Sequence, residues 1–200
     1  SVVVGTGISS QDIQLARRAD YISVRGPLTA ETLMKSGGPI VDSFGDPGLA
    51  LSEVIPLKRS KTNGKVALIR HFSHLAVPLK LPENFDELSV LISHPDAISD
   101  FLKNLIGYES VVTSAMHIMI ACQSYGIPCA LVTFEGFQEN VHGTGIKYQD
   151  YALGAGVEVM NPELIALDLR KIDFDNITRD IAVSKEKKVE VVQSLKTAIS

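Results

Sequence analysis

The sequence predicts an α/β protein with a mostly parallel sheet and helices on both faces, a three-layer arrangement. Short apolar, β-branched runs such as 66–69, 110–112 and 129–132 alternate with longer segments of helical pattern. Gly and Pro residues separate these segments. The chain has 200 residues and is 45% hydrophobic, so it can bury one good core or two small ones. We find no internal repeat.

Composition excludes several classes of function. The net charge of −4 and the lack of a basic stripe with interleaved aromatics argue against nucleic-acid binding. Cys122 and Cys129 lie inside apolar runs without a CxxC pair, which is typical of buried, reduced thiols in a cytosolic protein. No cluster of His, Cys and Asp has metal-ligand spacing, so no metal is expected. We also expect neither secretion nor a membrane span.

Residues 1–60 predict a first αβ segment, either the end of a missing amino-terminal domain or the start of the following one. The chain opens without Met directly into an apparent strand, so we expect a piece of a longer protein. A Gly-x-Gly follows at Gly5 and Gly7, and without a third Gly it favours a tight turn over a phosphate loop. The other elements predicted here are strands 2–4 and 21–24 and helices 14–18, 28–36 and one starting at Asp46-Pro47.

Arg25 follows the second of these strands and precedes the helix that Pro27 begins. A guanidinium fixed at a strand end can bind a carboxylate or phosphate with two parallel hydrogen bonds. The alternative is a structural arginine that holds the loop in place. The residues alone leave both interpretations open.

A polar, basic connector at 58–64 predicts a linker, and residues 61–200 predict a more complete αβ domain. The long loop 134–145 is typical of functional lids. The final segment is charged and favours a solvated helix face. The strands predicted in this domain are 66–69, 88–92, 110–112, 129–132 and 157–159. The predicted helices are 96–106, 115–125, 162–167, 173–200 and one that begins at 147 and ends at Gly154 or Gly156.

Candidate binding residues follow two of these strands. Arg70 and His71 end the strand at 66–69, and Thr113, Ser114 and His117 lie between a strand and the start of the next helix. In an open parallel sheet the carboxyl ends of strands face the ligand crevice, and a helix start offers N–H groups to an anion. Alternatively, Thr113 or Ser114 only caps the helix and His117 is a partly buried, satisfied histidine.

Other histidines carry weaker signals. We interpret His74, His94 and His142 as surface or loop residues. Lys147 begins a helix after the long loop, and an exposed lysine without a function is an equally good interpretation of it.

Three segments together resemble the polysaccharide pyruvyl transferase family: SVRGPLTAETL (23–33), GDPGLAL (45–51) and ESVVTSAMHIMIACQSYGIP (109–128). The K-x-x-D-Y pattern at 147–151 resembles the family's segment after the loop. The resemblance implies a fold similar to the two-domain glycosyltransferase-B type, with residues 61–200 as its Rossmann-like carboxyl-terminal half. A preceding Rossmann-like domain is expected to be missing.

The resemblance also implies a reaction. It is transfer of a pyruvyl group from phosphoenolpyruvate to hydroxyls of a sugar in exopolysaccharide or cell-wall polymer biosynthesis, forming a pyruvate ketal. No cofactor besides this donor is implied, and the acceptor is a lipid-linked or nucleotide-linked sugar. The implied location is cytoplasmic or peripheral at the inner face of the membrane.

Site roles follow from the resemblance together with the chemistry. His117 and Arg25 are implied to bind or activate phosphoenolpyruvate, whose roughly three negative charges require cations or helix starts. A histidine can also carry a proton in the reaction. The predicted substrate-binding residues are Thr113, Ser114, Arg70, His71 and Lys147.

One position departs from the family pattern. Ala115 stands where many members have Arg, so one contact to the donor is lost unless Arg70, His71 or Lys147 supplies the charge. Two alternatives stay open. One is a nucleotide-sugar transferase of the same fold, for which Glu135 is the only obvious candidate to clamp a ribose. The other is a non-catalytic module.

Overall fold

The computed structural model describes residues 1–92, 94–143 and 145–200. Its strands are β1 (Val2–Val3), β2 (Asp20–Tyr21), β3 (Val66–Ile69), β4 (Phe85–Glu87), β5 (Ser110–Thr113), β6 (Cys129–Phe134) and β7 (Glu163–Ile165). Its α-helices are α1 (Pro27–Lys35), α2 (Leu51–Val54), α3 (Pro95–Leu105), α4 (Met116–Tyr125), α5 (Ile146–Ala155) and α6 (Lys185–Ile199). Short 3₁₀ helices lie at Pro47–Ala50, Phe72–His74, Gln138–Asn140 and Leu169–Lys171.

The chain divides into two units, each assembled from segments that are distant in sequence. Unit 1 comprises Ser1–Val54, His142–Met160 and Val183–Ser200. Unit 2 comprises Ile55–Val141 and Asn161–Ala182. The predicted division into domains 1–60 and 61–200 stays a prediction.

Unit 2 is built on a five-stranded parallel sheet in the order β4-β3-β5-β6-β7. Ile69 lies opposite Thr113, which in turn lies opposite Leu131, so β3, β5 and β6 end side by side. Helix α3 connects β4 to β5 and helix α4 connects β5 to β6, whereas β3 and β4 are joined by a loop with one short 3₁₀ helix. The predicted α/β class with a Rossmann-like parallel sheet is confirmed.

The central strands of this sheet are almost continuously apolar because they are buried on both faces. On one face Leu68, Val112 and Phe134 belong to a single apolar cluster. Helix α4 is also mostly buried and apolar. It ends at Gly126, whose φ of 66° is the left-handed conformation that glycine adopts without a steric penalty. The predicted Gly stop of this helix is confirmed.

Unit 1 contains a small parallel pairing of β1 and β2, continued by isolated bridges from Val24 to Thr6 and Phe44. Helix α1 packs against α5, and α6 packs against the Pro47–Ala50 helix. Asp46 caps that 3₁₀ helix by accepting a 2.9 Å hydrogen bond from the Gly48 N–H. The predicted helix start at Asp46-Pro47 is therefore confirmed.

Several predicted elements are wrong. No helix forms at 14–18 and no strand at 157–159, and the strand expected at 88–92 lies at 85–87. The predicted helix 162–167 is instead β7, because pairing with β6 outweighs local helix propensity. The predicted helix 173–200 begins only at Lys185, since Arg179 forms a backbone bridge with Cys129.

Within the described residues, no helix has both the length and the hydropathy needed to cross a bilayer.

The two thiols are buried and free, as predicted. Burial, together with a hydrogen bond to Cys129, raises the pKa of the Cys122 thiol well above its ordinary value. A thiol reacts as the thiolate, so a buried group with a raised pKa should be inert. We expect no reaction with Ellman's reagent in the native protein and reaction of both thiols in guanidinium chloride. Rapid reaction of either thiol without denaturant would contradict this.

Candidate functional site

The turn after β3 is held by Arg70. Its Nε donates to Glu87 Oε1 at 2.7 Å, and Nη2 forms an ion pair with the same oxygen. Nη1 donates to the carbonyls of His74 and Val77, at 3.0 and 2.8 Å. The guanidinium therefore ties both ends of this turn to the neighbouring strand β4.

Two hydroxyls connect the end of β5 to this turn. Thr113 Oγ1 donates to the carbonyl of Ile69 at 2.6 Å and accepts from the Ala115 N–H at 3.0 Å. Ser114 Oγ accepts from the His71 N–H at 2.9 Å. Helix α4 has Ala115 as its N-cap, without a side-chain cap, so the alternative that Thr113 or Ser114 merely caps this helix is wrong.

His74 is fully buried beneath the turn. Its Nε2 lies 3.1 Å from the carbonyl of Phe137, and its Nδ1 lies 2.9 Å from Ser114 Oγ. A carbonyl can only accept, so we assign the ring proton to Nε2, and the Ser114 hydroxyl then donates to Nδ1. The ring also meets Phe134 edge to face, with centroids 5.2 Å apart. The predicted surface position of His74 is wrong, and no local pattern indicated its burial.

His71 and His117 lie at this same edge of the sheet. His71 is partly exposed, and its Nδ1 lies 2.7 Å from Ser73 Oγ. His117 is exposed on the first turn of α4, so the alternative of a partly buried histidine is wrong. The structure thus brings five predicted residues together around the ends of β3 and β5: Arg70, His71, Thr113, Ser114 and His117.

In unit 1, Arg25 is buried and paired. Its side chain is 9% exposed, with Nε 3.1 Å from Asp150 Oδ2 and Nη2 2.5 Å from the carbonyl of Ile8. Asp150 is fully buried and also accepts from Thr29, through its N–H at 3.0 Å and its hydroxyl at 2.6 Å. The carboxylate is therefore satisfied on both oxygens, as a buried charge requires.

Glycines allow this ion pair to form. A β-carbon at Gly7 would overlap the guanidinium of Arg25, and one at Gly26 would overlap the backbone of Asp150. A β-carbon at Gly154 would overlap the carbonyl of Arg25. The second glycine of the Gly-x-Gly, Gly7, thus makes room for an arginine side chain.

Lys147, one helical turn before Asp150, is half-buried in the same unit. Its Nζ donates to the carbonyl of His142 at 2.8 Å and lies 5.1 Å from the centre of the Tyr148 ring. Burial and, secondarily, the nearby positive charge of Arg25 lower the pKa of Lys147. Across the described ranges no group of His, Cys, Asp and Glu could hold a metal ion.

The comparisons identify the family. A family model described as polysaccharide pyruvyl transferase matches residues 2–135, more than half of the chain. This chain belongs to the polysaccharide pyruvyl transferase family. An uncharacterized protein of Acanthamoeba polyphaga mimivirus is similar to it, 27% identical over 164 residues that cover 79% of this chain and 56% of the relative. The chain thus spans about half the length of that relative. No solved structure matches it significantly.

Most of the candidate residues lie inside the range that the family model matches. It contains Arg25 and the five residues around β3 and β5. Lys147 and Asp150 lie beyond it. Sequence reasoning missed Asp150, although the K-x-x-D-Y pattern that contains it was visible.

The buried ion pair predicts a strong effect on stability. Replacing Asp150 by Ala leaves the Arg25 charge buried without its partner, which should lower the free energy of unfolding by about 3–5 kcal/mol. Asp150→Asn should cost less, because its amide oxygen can still accept from the Thr29 N–H. Urea unfolding followed by circular dichroism measures both.

Glu31→Ala is the matched control for this experiment. It removes a carboxylate from α1 that pairs with Lys35 on the exposed face, so it should change stability by no more than about 1 kcal/mol. Equal midpoints for Asp150→Ala and Glu31→Ala would contradict a stabilising role of the buried pair.

Proposed function

We propose that this protein transfers a pyruvyl group from phosphoenolpyruvate to two hydroxyls of a sugar, forming a pyruvate ketal in exopolysaccharide or cell-wall polymer biosynthesis. Membership of the polysaccharide pyruvyl transferase family supports the reaction class. The observation that carries the assignment of a site is the exposed His117 on the first turn of α4, three residues after Ser114, whose hydroxyl binds the His71 N–H.

The start of α4 suits an anionic donor. The first backbone N–H groups of a helix have no partner within the helix, and the helix dipole favours negative charge there. The ten-residue helix α4 begins at the carboxyl edge of a parallel sheet, where ligands of such folds bind. In our proposal this start binds the phosphate of phosphoenolpyruvate, and His117 contacts the same group.

The proposed reaction has two steps. In the first, one sugar hydroxyl oxygen bonds to C2 of phosphoenolpyruvate while a proton adds to C3, so the methylene becomes a methyl group. In the second, another hydroxyl oxygen bonds to C2, the bond from C2 to the phosphate oxygen breaks, and the remaining proton leaves with inorganic phosphate. His117 is the proposed proton carrier, because imidazole both gains and loses a proton near neutral pH.

The remaining cations contribute to the proposal differently. Arg70 is already bound to Glu87 and two carbonyls, so we assign it mainly to holding the turn. His71 is partly exposed. It is our candidate to replace the positive charge of the arginine that many family members have at the position of Ala115. Substrate binding by Arg25 and Lys147 stays a prediction.

Calorimetric titration of phosphoenolpyruvate into the full-length protein tests the donor. We expect saturable binding that is lost in His117→Ala, because that variant removes a direct contact to the phosphate. His94→Ala is the matched control, since His94 is an exposed histidine at the start of another helix of unit 2, α3. It should bind phosphoenolpyruvate as the unmodified protein does.

Two outcomes would contradict the proposal. Binding of UDP without binding of phosphoenolpyruvate would favour the nucleotide-sugar transferase. Unchanged phosphoenolpyruvate affinity in His117→Ala would remove His117 from the donor site.

A further inference from the structure

Phe72 has an unusual environment. It opens the Phe72–His74 turn at the carboxyl end of β3, and 65% of its surface is exposed. Two residues later His74 is fully buried. This turn therefore buries a polar ring and exposes an apolar one, the reverse of the usual preference. Single exposed apolar residues are common on proteins. An exposed phenylalanine two residues from a fully buried histidine is less common and indicates that the Phe72 ring has a role at the surface.

The exposed ring is held on a rigid support. The Ser114 hydroxyl binds both the His71 N–H and His74 Nδ1, which fixes the turn on either side of Phe72. Arg70, which precedes the turn, donates to the carbonyls of His74 and Val77 and so fixes its carboxyl-terminal side. Since the backbone is already ordered, a ligand that contacts the ring has little entropy of ordering to overcome.

The surroundings of the ring indicate the chemistry of its ligand. The His71 ring, from the residue just before the turn, packs against it with ring centres 4.3 Å apart at an angle of 36°. An aromatic face is apolar and carries partial negative charge. It therefore repels the carboxylate and phosphate of phosphoenolpyruvate but packs well against the C–H groups on one face of a pyranose ring.

We propose that Phe72 is a stacking platform for a pyranose ring of the acceptor. Its assignment to the acceptor rests on the proposed pyruvyl transfer, whereas sugar binding at this ring can be tested without turnover. The site consists of the part of the phenyl ring that the His71 ring leaves exposed.

The chain has no tryptophan, so Phe72→Trp places a single tryptophan at the proposed platform while keeping an aromatic face. We would titrate the full-length variant with methyl glycosides of glucose, galactose, N-acetylglucosamine and N-acetylmannosamine. At least one of these sugars should stack on the indole and shift the tryptophan emission, and the shift should saturate as the sugar concentration rises.

Leu91→Trp is the matched control. Leu91 is also in unit 2 and is 69% exposed, but it is not part of the Phe72–His74 turn. Its emission should not respond to any of the four sugars. No saturable response of Phe72→Trp, or an equal response of Leu91→Trp, would overturn the proposal whether or not phosphoenolpyruvate binds.

A kinetic arm then separates the acceptor from the donor. In turnover assays with the acceptor glycan, Phe72→Ala should raise the KM for the glycan about tenfold. This is the change expected when a ring contact worth about 1.4 kcal/mol of binding free energy is lost. The affinity for phosphoenolpyruvate, measured by calorimetry, should not change. A weakened donor affinity with an unchanged KM for the glycan would assign Phe72 to the donor and overturn the proposal.

Discussion

The Ser114 hydroxyl is the interaction on which the candidate site in unit 2 depends. It accepts from the backbone of the turn after β3, donates to the buried His74 and sits one residue before the N-cap of α4. Through His74 it also reaches the carbonyl of Phe137 in the loop after β6. A single buried hydroxyl therefore joins the ends of three neighbouring strands, because the parallel sheet brings those ends side by side.

The second constraint lies in unit 1, where Asp150 neutralises Arg25. The two residues are 125 positions apart, and the carboxylate is satisfied by Thr29 as well as by the guanidinium. A buried charge without such partners would lower the stability of the fold. The glycines are needed for the same reason, because they let the guanidinium and the carboxylate approach each other. The alternative that Arg25 holds its loop is thus an accurate description of its contacts, and binding of a donor by Arg25 is a separate prediction.

Sequence reasoning succeeded where the local pattern is strong. The parallel α/β class, helix α4 with its glycine stop and the Asp46 cap are all encoded by residues near one another. It failed for β7 and for the segment before α6, where pairing with distant strands decides the conformation. It placed Ser114 at the right edge but could not identify His74 as its partner, since a histidine in a loop looks the same whether it is buried or exposed.

Pyruvyl transfer is tested most directly by NMR of [2-¹³C]phosphoenolpyruvate. The labelled carbon is followed while the full-length protein is incubated with a bacterial exopolysaccharide stripped of its pyruvate. We predict that the C2 signal moves to that of a quaternary ketal carbon attached to the glycan, with one inorganic phosphate released per ketal. Recovery of the label as free pyruvate, or its persistence in phosphoenolpyruvate that the calorimetric experiment shows to be bound, would contradict pyruvyl transfer to a sugar.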